Sequence, residues 1–243
     1  MKSRICLACL FSVLFLLSGC SLDSKQILAK RIKHMQESSG NPVTIEEIKD
    51  AINKYDAEAA EVQRKNAKIG LWYKILGTRY IDKKMYGEAL QCFEKALEFY
   101  PDNANLYYYV GVCAGYMSHA ALDFSAKGNS EKKQNYLALA ESAYLRALQI
   151  DDRLTTALYG IGILYIFELD ESEKAIPYLE RYLDIDTRSI DGMFVLARAY
   201  YSNYEFDKAV ALYDKIIATT KSADKKASAE ANKKRALDAS YGM

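Results

Sequence analysis

A regular spacing of small residues constrains this chain more than any other feature. Within apolar stretches, one series of small residues recurs at intervals of 34, 51 and 35: Gly77, Gly111, Gly162 and Ala197. A second series has intervals of 51, 35 and 34: Ala89, Ala140, Ala175 and Ala209. Self-similarity at a fixed period of roughly 20–50 residues indicates structural units that stack and bury a continuous core. We therefore expect an array of similar units.

Both series depart from a period of 34 in the same two places. Their comparison puts an insertion of 17 residues between Gly111 and Ala140, and one additional residue between Gly162 and Ala175. Both insertions therefore lie inside repeats and not between them.

The longer insertion, at about residues 117–135, keeps apolar residues at helical spacing on both sides of a predicted turn at residues 127–130. We expect two helices, each lengthened by about two turns and projecting roughly 12 Å. A disordered loop is the alternative.

A period of 34 with small residues at two fixed points resembles the tetratricopeptide repeat, a pair of antiparallel helices. Residues 70–101 match its pattern at Tyr73, Leu76, Gly77, Tyr80, Ala89, Phe93, Ala96 and Pro101. Close approach of the two helices at Gly77 and Ala89 is expected, with Leu76, Tyr80 and Phe93 filling the layer between hairpins. The resemblance implies an all-α fold: a right-handed α-α superhelix of about four repeats.

Three further units follow the first, at residues 104–152, at residues 155–187 and from Ile190. The third unit departs from the family pattern twice. Pro177 falls inside its second helix, where it must sit near the start or kink the helix. Tyr182 stands where a small residue is expected, which predicts a looser hairpin.

The rest of the chain is organised around this solenoid, which we expect to span residues 69–220. An N-terminal helical arm or degenerate repeat is predicted at residues 44–68, where Thr44 and Glu47 have the spacing of a capping box. A C-terminal capping helix is predicted at residues 221–243, because a solenoid needs a polar terminal cap.

The amino-terminal segment has the architecture of a secretory signal, two cations followed by an apolar run from Ile5 to Leu17. This run is shorter than the roughly 20 residues that a membrane-spanning helix needs. Its end, Leu-Ser-Gly-Cys at residues 17–20, resembles the lipobox of bacterial lipoproteins. The resemblance implies a signal peptide at residues 1–19, acylation of Cys20, and a tether with a short amphipathic helix at residues 20–43. An ordinary signal peptide with a chance cysteine is the alternative.

Acylation of Cys20 would anchor the chain stably, because two or more acyl chains, palmitate among them, bury enough methylene groups. We expect a lipid-anchored protein of the bacterial cell envelope. The residue after the cysteine is Ser21 and not Asp, which favours the outer membrane, with the protein facing the periplasm or the surface.

The composition excludes several classes of function. Lys and Arg number 33 and Asp and Glu 32, so the net charge of +1 gives no field for nucleic acid. His34 and His119 are the only histidines, and no catalytic or metal-binding motif is present. We expect no enzyme, no metal and no cofactor. Of the mature cysteines besides Cys20, Cys92 and Cys113 either pair or stay as free buried thiols.

Stacked helix pairs in this family form a concave groove lined by the first helix of each unit. Transferring the family's lining positions gives Lys74, Thr78 and Ile166 together with nine residues predicted to bind a partner: Tyr108, Val112, Tyr116, Tyr159, Ile163, Phe167, Phe194, Arg198 and Tyr201. Thr78, Val112 and Ile163 stand where a clamp for a terminal carboxylate would need amides. The groove is therefore predicted to be aromatic and apolar, and to lack that clamp.

An exposed apolar groove needs an occupant. We expect a noncatalytic, lipid-anchored scaffold that binds a protein partner at the envelope. The alternative is a transporter-associated or solute-binding lipoprotein that holds a small apolar ligand. The chain's own helix at residues 44–65 is a further candidate occupant, and homo-oligomerisation is left open.

Overall fold

A computed structural model describes residues 44–121 and 131–242, together with Lys30 and Lys33. This part of the chain consists of helices and connecting turns, without strands, which confirms the predicted all-α superhelix. The helices are α1 (Ile45–Asp82), α2 (Tyr86–Leu97), α3 (Ala104–Ala120), α4 (Glu131–Ile150), α5 (Thr155–Ile163), α6 (Ser172–Ile185), α7 (Ile190–Ser202), α8 (Phe206–Thr219) and α9 (Ala223–Tyr241).

Several predictions fall on residues outside the described ranges. They concern the signal peptide at 1–19, Cys20, nearly all of the tether at 20–43, and the turn at 127–130. Within the described ranges, no helix combines the length and the apolar character that crossing a bilayer requires. Residues 1–63 and 64–243 form two compact units.

In the first unit, the start of α1 is fixed by the predicted capping box. The Thr44 amide donates to Glu47 Oε2 at 3.0 Å, and the Glu47 amide donates to Thr44 Oγ1 at 3.2 Å. The two reciprocal bonds satisfy amides that have no partner within the helix. The next apolar residues along the helix are exposed: Ile45, Ile48 and Ile52.

In the second unit, the same contact recurs in three hairpins: a glycine of the first helix lies beneath a large side chain of the second helix. A Cβ atom on Gly77 would come within 2.8 Å of the Phe93 ring, one on Gly111 within 2.7 Å of the Tyr144 ring, and one on Gly162 within 2.5 Å of Leu179. These glycines occupy equivalent positions, and Ala197, their counterpart in the fourth hairpin, is fully buried. The periodic spacing therefore reports a repeated helix contact.

The layer between hairpins differs in part from the expectation. Phe93 packs inside its own hairpin against Gly77 and also stacks on Tyr109 of the next hairpin, with ring centroids 4.8 Å apart. Leu76 does not fill this layer, because 43% of its surface is exposed. It points about 100–120° around the axis of α1 away from the buried Gly70 and Gly77, so the expectation for Leu76 is wrong.

The 17-residue insertion lengthens both helices of the second hairpin. Helix α3 has 17 residues and α4 has 20, whereas α2, α6, α7 and α8 have 12 to 14. Most of the additional length described lies at the start of α4. The prediction that both helices are extended is confirmed. The predicted length is wrong for α3, which gains about one turn of roughly 3.6 residues and not two.

The single additional residue of the third hairpin is taken up where its first helix ends. The carbonyl groups of Tyr80 and Tyr200 each accept from an amide five residues later, at 2.9 Å, whereas the equivalent Tyr165 carbonyl accepts from Glu171, six residues later, at 2.8 Å. Helix α5 here widens into a π-helical turn, Leu164–Glu168. A π-helical turn spans one residue more per hydrogen bond than an α-helical turn, so the spacing anomaly and the wide turn are the same feature.

Two irregular residues of α6 are accommodated by their surroundings. Pro177 is the sixth residue of the helix, beyond the first turn, so its missing N–H removes one helical hydrogen bond. The Tyr182 ring packs where a Cβ atom on Gly192 would lie, and its hydroxyl donates to Ser189 Oγ at 2.9 Å. The next hairpin thus supplies the space that Tyr182 needs. That this hairpin is looser stays a prediction.

The two cysteines of the repeats are free and buried. Burial raises the pKa of the Cys113 thiol to about 12, with the neighbouring Cys92 adding to the effect. Of the two alternatives, the structure therefore has the free thiols.

Candidate partner-binding groove

The nine residues predicted to bind a partner line two cavities on the face formed by α3, α5 and α7. The first cavity, of about 380 Å³, is lined by five of them: Tyr108, Val112, Tyr116, Tyr159 and Ile163. The second, of about 390 Å³, is lined by the other four: Phe167, Phe194, Arg198 and Tyr201. The repeat spacing thus identified residues that share one face, while their role in binding stays a prediction.

Three other transferred positions lie elsewhere. Ile166 is 7% exposed and belongs to the core, so its predicted place in the groove is wrong. The π-helical turn is the reason, since its additional residue directs Phe167 outward in place of Ile166. Lys74 and Thr78 are not among the residues that line the two cavities, and the Thr78 hydroxyl donates to the Ile75 carbonyl at 2.7 Å.

Tyr144 forms a wall of the first cavity that the sequence pattern did not identify. It comes from α4, a second helix, and only 6% of its surface is exposed. Its ring lies between Gly111 and Gly160, since a Cβ atom on either would come within 2.8 Å of it. Burial is the main cause that raises the Tyr144 pKa, followed by the nearby Tyr108. The ring therefore presents a neutral apolar surface to the cavity.

The outer side of the first cavity is an aromatic pair. Tyr116 stacks on Tyr86 with ring centroids 4.1 Å apart and an interplanar angle of 6°. Half of Tyr116 is exposed, and stacking fixes the ring in spite of this exposure. A pre-formed aromatic edge of this kind is suited to packing against an apolar side chain of a partner.

Charged groups of the insertion close one end of the first cavity. Glu168, at the end of the π-helical turn, has a largely buried side chain, and its Oε1 lies 3.0 Å from His119 Nε2. Lys133 Nζ lies 3.9 Å from Glu168 Oε2. His119 and Lys133 come from the extended parts of α3 and α4. The insertion thus contributes to the groove and supplies the partners of its one carboxylate.

The second cavity is built partly by the capping helix. Asn232 and Arg235 of α9 line it together with Val195 and Tyr213 of the last hairpin. Helix α9 is held to this hairpin by two ion pairs, Lys225 with Asp191 and Lys233 with Asp214, each at 2.6 Å. Its Ala229 and Ala236 are fully buried. The cap therefore covers the end of the solenoid and also completes the lining of the second cavity.

Two guanidinium groups give the second cavity a positive character. Arg198 and Arg235 both line it, and both lower the pKa of the buried Tyr213 hydroxyl. Burial is the larger cause and raises this pKa overall. Both guanidinium groups therefore act on the same hydroxyl of this cavity.

The described ranges hold no group of His, Cys, Asp and Glu side chains that could bind a metal ion. The chemistry of both cavities is therefore described by their rings, their apolar side chains and the charged groups named above.

Comparison with known proteins places this architecture in context. The tetratricopeptide-repeat family matches at residues 71–103 and at residues 155–188. A protein of Borreliella burgdorferi named a TPR repeat-containing protein is 30% identical over 221 residues, which is 90% of each chain.

Two solved structures share the fold. A thermophilic tetratricopeptide-repeat protein of Thermus thermophilus is 21% identical with a TM-score of 0.53, covering 81% of this chain and 97% of that one. YrrB, described as a tetratricopeptide-repeat protein with an unusual peptide-binding site, is 20% identical with a TM-score of 0.52, covering 83% and 96%.

Proposed function

The chain belongs to the tetratricopeptide-repeat proteins, and on this premise we propose that it is a noncatalytic scaffold whose groove binds a protein partner. Its place of action would be the bacterial cell envelope, to which an acylated Cys20 would anchor it. The two parts of this proposal rest on different observations and are tested separately.

The observation that carries the binding part is the pair of ring-lined cavities on one face of consecutive hairpins. Exposed aromatic side chains around a depression are typical anchoring points of protein interfaces. Phe167 and Tyr116 are more than half exposed, although each lines a cavity. YrrB, a neighbour in fold, is described as having a peptide-binding site, which agrees with a peptide as occupant.

The binding part is tested by crosslinking in living cells. Tyr159→Ala together with Phe194→Ala removes one ring from each cavity, and we expect the crosslinked partner to be lost. The matched control is Tyr204→Ala with Tyr241→Ala, because these tyrosines are 72% and 86% exposed and line neither cavity. Circular dichroism verifies that both variants fold. Retention of every crosslinked partner by the folded groove variant would exclude this site.

The anchoring part rests on the lipobox resemblance at residues 17–20. Cys20→Ala removes the acylated thiol, so the protein should move from the membrane fraction to the soluble fraction as unprocessed precursor. Cys92→Ala is the control, since that thiol is buried. Unchanged membrane partitioning of Cys20→Ala would refute acylation as the anchor.

A second candidate is a solute-binding protein, and the volume of the first cavity favours it. At about 380 Å³ it falls within the roughly 300–1,000 Å³ of small-molecule sites, and its lining is mainly aromatic. Native mass spectrometry of the purified protein distinguishes the two candidates. A retained small molecule that Tyr159→Ala releases would favour the solute, whereas bare protein would count against it.

A further inference from the structure

The capping helix α9 uses its cations in two different ways. Lys225 and Lys233 each pair with a carboxylate of the last hairpin at 2.6 Å and so hold the helix in place. Arg235 also faces that hairpin, but its described contact is the Asn232 side chain, to which Nη1 donates at 3.4 Å. Arg235 is therefore not needed to attach the cap.

Arg198 of α7 is the second cation that lines this cavity. Among the described residues, neither Arg198 nor Arg235 has a carboxylate within ion-pair distance. The two lysines pair with Asp191, which precedes Arg198 by about two turns on α7, and with Asp214 of α8. Two guanidinium groups thus face one cavity, and no carboxylate of the described residues pairs with either of them.

Apart from Asn232, the rest of the cavity is lined by aromatic and apolar residues. Phe167, Phe194 and Tyr201 line it beside the two arginines, and Phe167 is 57% exposed on the π-helical turn. Guanidinium groups bind carboxylates through paired N–H donors and also stack on aromatic rings. A ligand that complements this cavity carries a negative charge next to an apolar group.

We propose that the second cavity binds an acidic segment of a partner protein, with an aspartate or glutamate side chain between Arg198 and Arg235 and an adjacent apolar side chain among the three rings. This inference rests on the proposed function and names the chemistry of its partner. A peptide meets both requirements at neighbouring residues, and both fall within one cavity of about 390 Å³.

The test uses the full-length chain purified in detergent and a set of fluorescein-labelled peptides. Each peptide carries phenylalanine and leucine between variable positions filled by glutamate, glutamine or lysine, and has an amidated carboxyl end. Fluorescence anisotropy gives the affinities. We expect the glutamate peptide to bind about fivefold more tightly than the glutamine peptide, as for partly exposed ion pairs, and the lysine peptide to bind least. The preference should shrink as salt is raised.

Two double variants separate the site from general charge. Arg198→Gln with Arg235→Gln should abolish the preference for glutamate, whereas Lys226→Gln with Lys234→Gln removes the same charge from the capping helix and should leave the preference unchanged. Arg198→Lys with Arg235→Lys keeps the charge and the fold but loses the paired donors, so an intermediate preference is expected.

The outcomes distinguish this inference from the proposed function. Equal binding of all three peptides, or a preference that the Gln variants retain, would overturn the acidic partner and leave the groove as a site. Absence of any peptide binding would also overturn it, and the crosslinking experiment would then decide on the groove alone. An anionic lipid is the competing occupant. If water-soluble dihexanoyl phosphatidylglycerol bound in an arginine-dependent way while the acidic peptide did not, the inference would be wrong.

Discussion

The two cavities of the groove occupy equivalent positions in the second and the fourth hairpin but differ in chemistry. In the first, the carboxylate of Glu168 lies 3.0 Å from His119 Nε2 and 3.9 Å from Lys133 Nζ, and the remaining surface is dominated by tyrosine. In the second, no carboxylate of the described residues pairs with Arg198 or Arg235. Much of the difference comes from the irregular elements that border each cavity, the insertion at one and the capping helix at the other, while Arg198 is a regular repeat position. Repeats supply the shape of such a groove, and departures from the repeat supply most of the charged groups named here.

The largest effect is expected where the first cavity is packed most tightly. Gly160→Ala places a methyl group 2.8 Å from the Tyr144 ring, so the ring or the helix must shift, and we expect unfolding to become easier by about 1–3 kcal/mol. Gly115→Ala is the matched control, because Gly115 lines the same cavity with open space around it. That variant should be neutral or gain up to about 1 kcal/mol from helix propensity.

Thermal or urea unfolding of both variants measures these changes. Equal effects of Gly160→Ala and Gly115→Ala would show that Tyr144 is not held between the two glycines, and the first cavity would lose its rigid wall.

A smaller effect is expected at the charged end of the first cavity. Glu168→Gln keeps the shape of the side chain but removes the charge that faces His119 and Lys133. Since His119 is more than half exposed, we expect a loss of about 0.5–1 kcal/mol in urea unfolding. Glu230→Gln, at an exposed position in the middle of α9 with no ion pair among the described residues, should change nothing measurable. If the Glu168→Gln variant altered the charge preference of the second cavity, the two cavities would not be independent.

The smallest effect concerns buried tyrosines at alkaline pH. Burial raises the pKa of both Tyr144 and Tyr213 above the ordinary value of 10.0, and Arg198 and Arg235 partly oppose this rise at Tyr213. A raised folded-state pKa contributes stability that is fully present below pH 10 and is lost as the pH rises above it. Tyr144→Phe should therefore reduce the alkaline loss of stability more than Tyr213→Phe. Urea unfolding at pH 8 and pH 11 measures the difference, and the reverse order would remove the two cations from the vicinity of Tyr213.

The regular part of the groove could be predicted from the sequence because a fixed period transfers a helix face from one unit to the next. Tyr108, Tyr159 and Phe194 were identified in this way, each without knowledge of its neighbours. The failures lie where the period breaks. Ile166 was assigned to the groove, with Phe167, by transferring the family's lining positions. The spacing located an additional residue between Gly162 and Ala175 but did not show that it would form a π-helical turn at Leu164–Glu168.

Other parts of the site depend on contacts that no local pattern encodes. Arg235 reaches the second cavity because a helix outside the repeats docks on the last hairpin through Lys225 and Lys233. His119 lies close to Glu168 because the two long helices of the second hairpin, α3 and α4, extend beside the third hairpin. The sequence signal available for both was weak: a positive charge near the carboxyl end, and a histidine inside an insertion.

The π-helical turn at Leu164–Glu168 limits how far the repeats of this protein can be replaced by consensus repeats. A consensus redesign that trimmed the third unit to 34 residues would rotate the residues after the cut by about 100° around the helix axis. Phe167 would then no longer line the second cavity, and Glu168 would no longer line the first. The trimmed array would be more uniform, but the two cavities would lose part of their chemical difference. A solenoid with perfectly regular repeats would therefore discriminate less between ligands than this one.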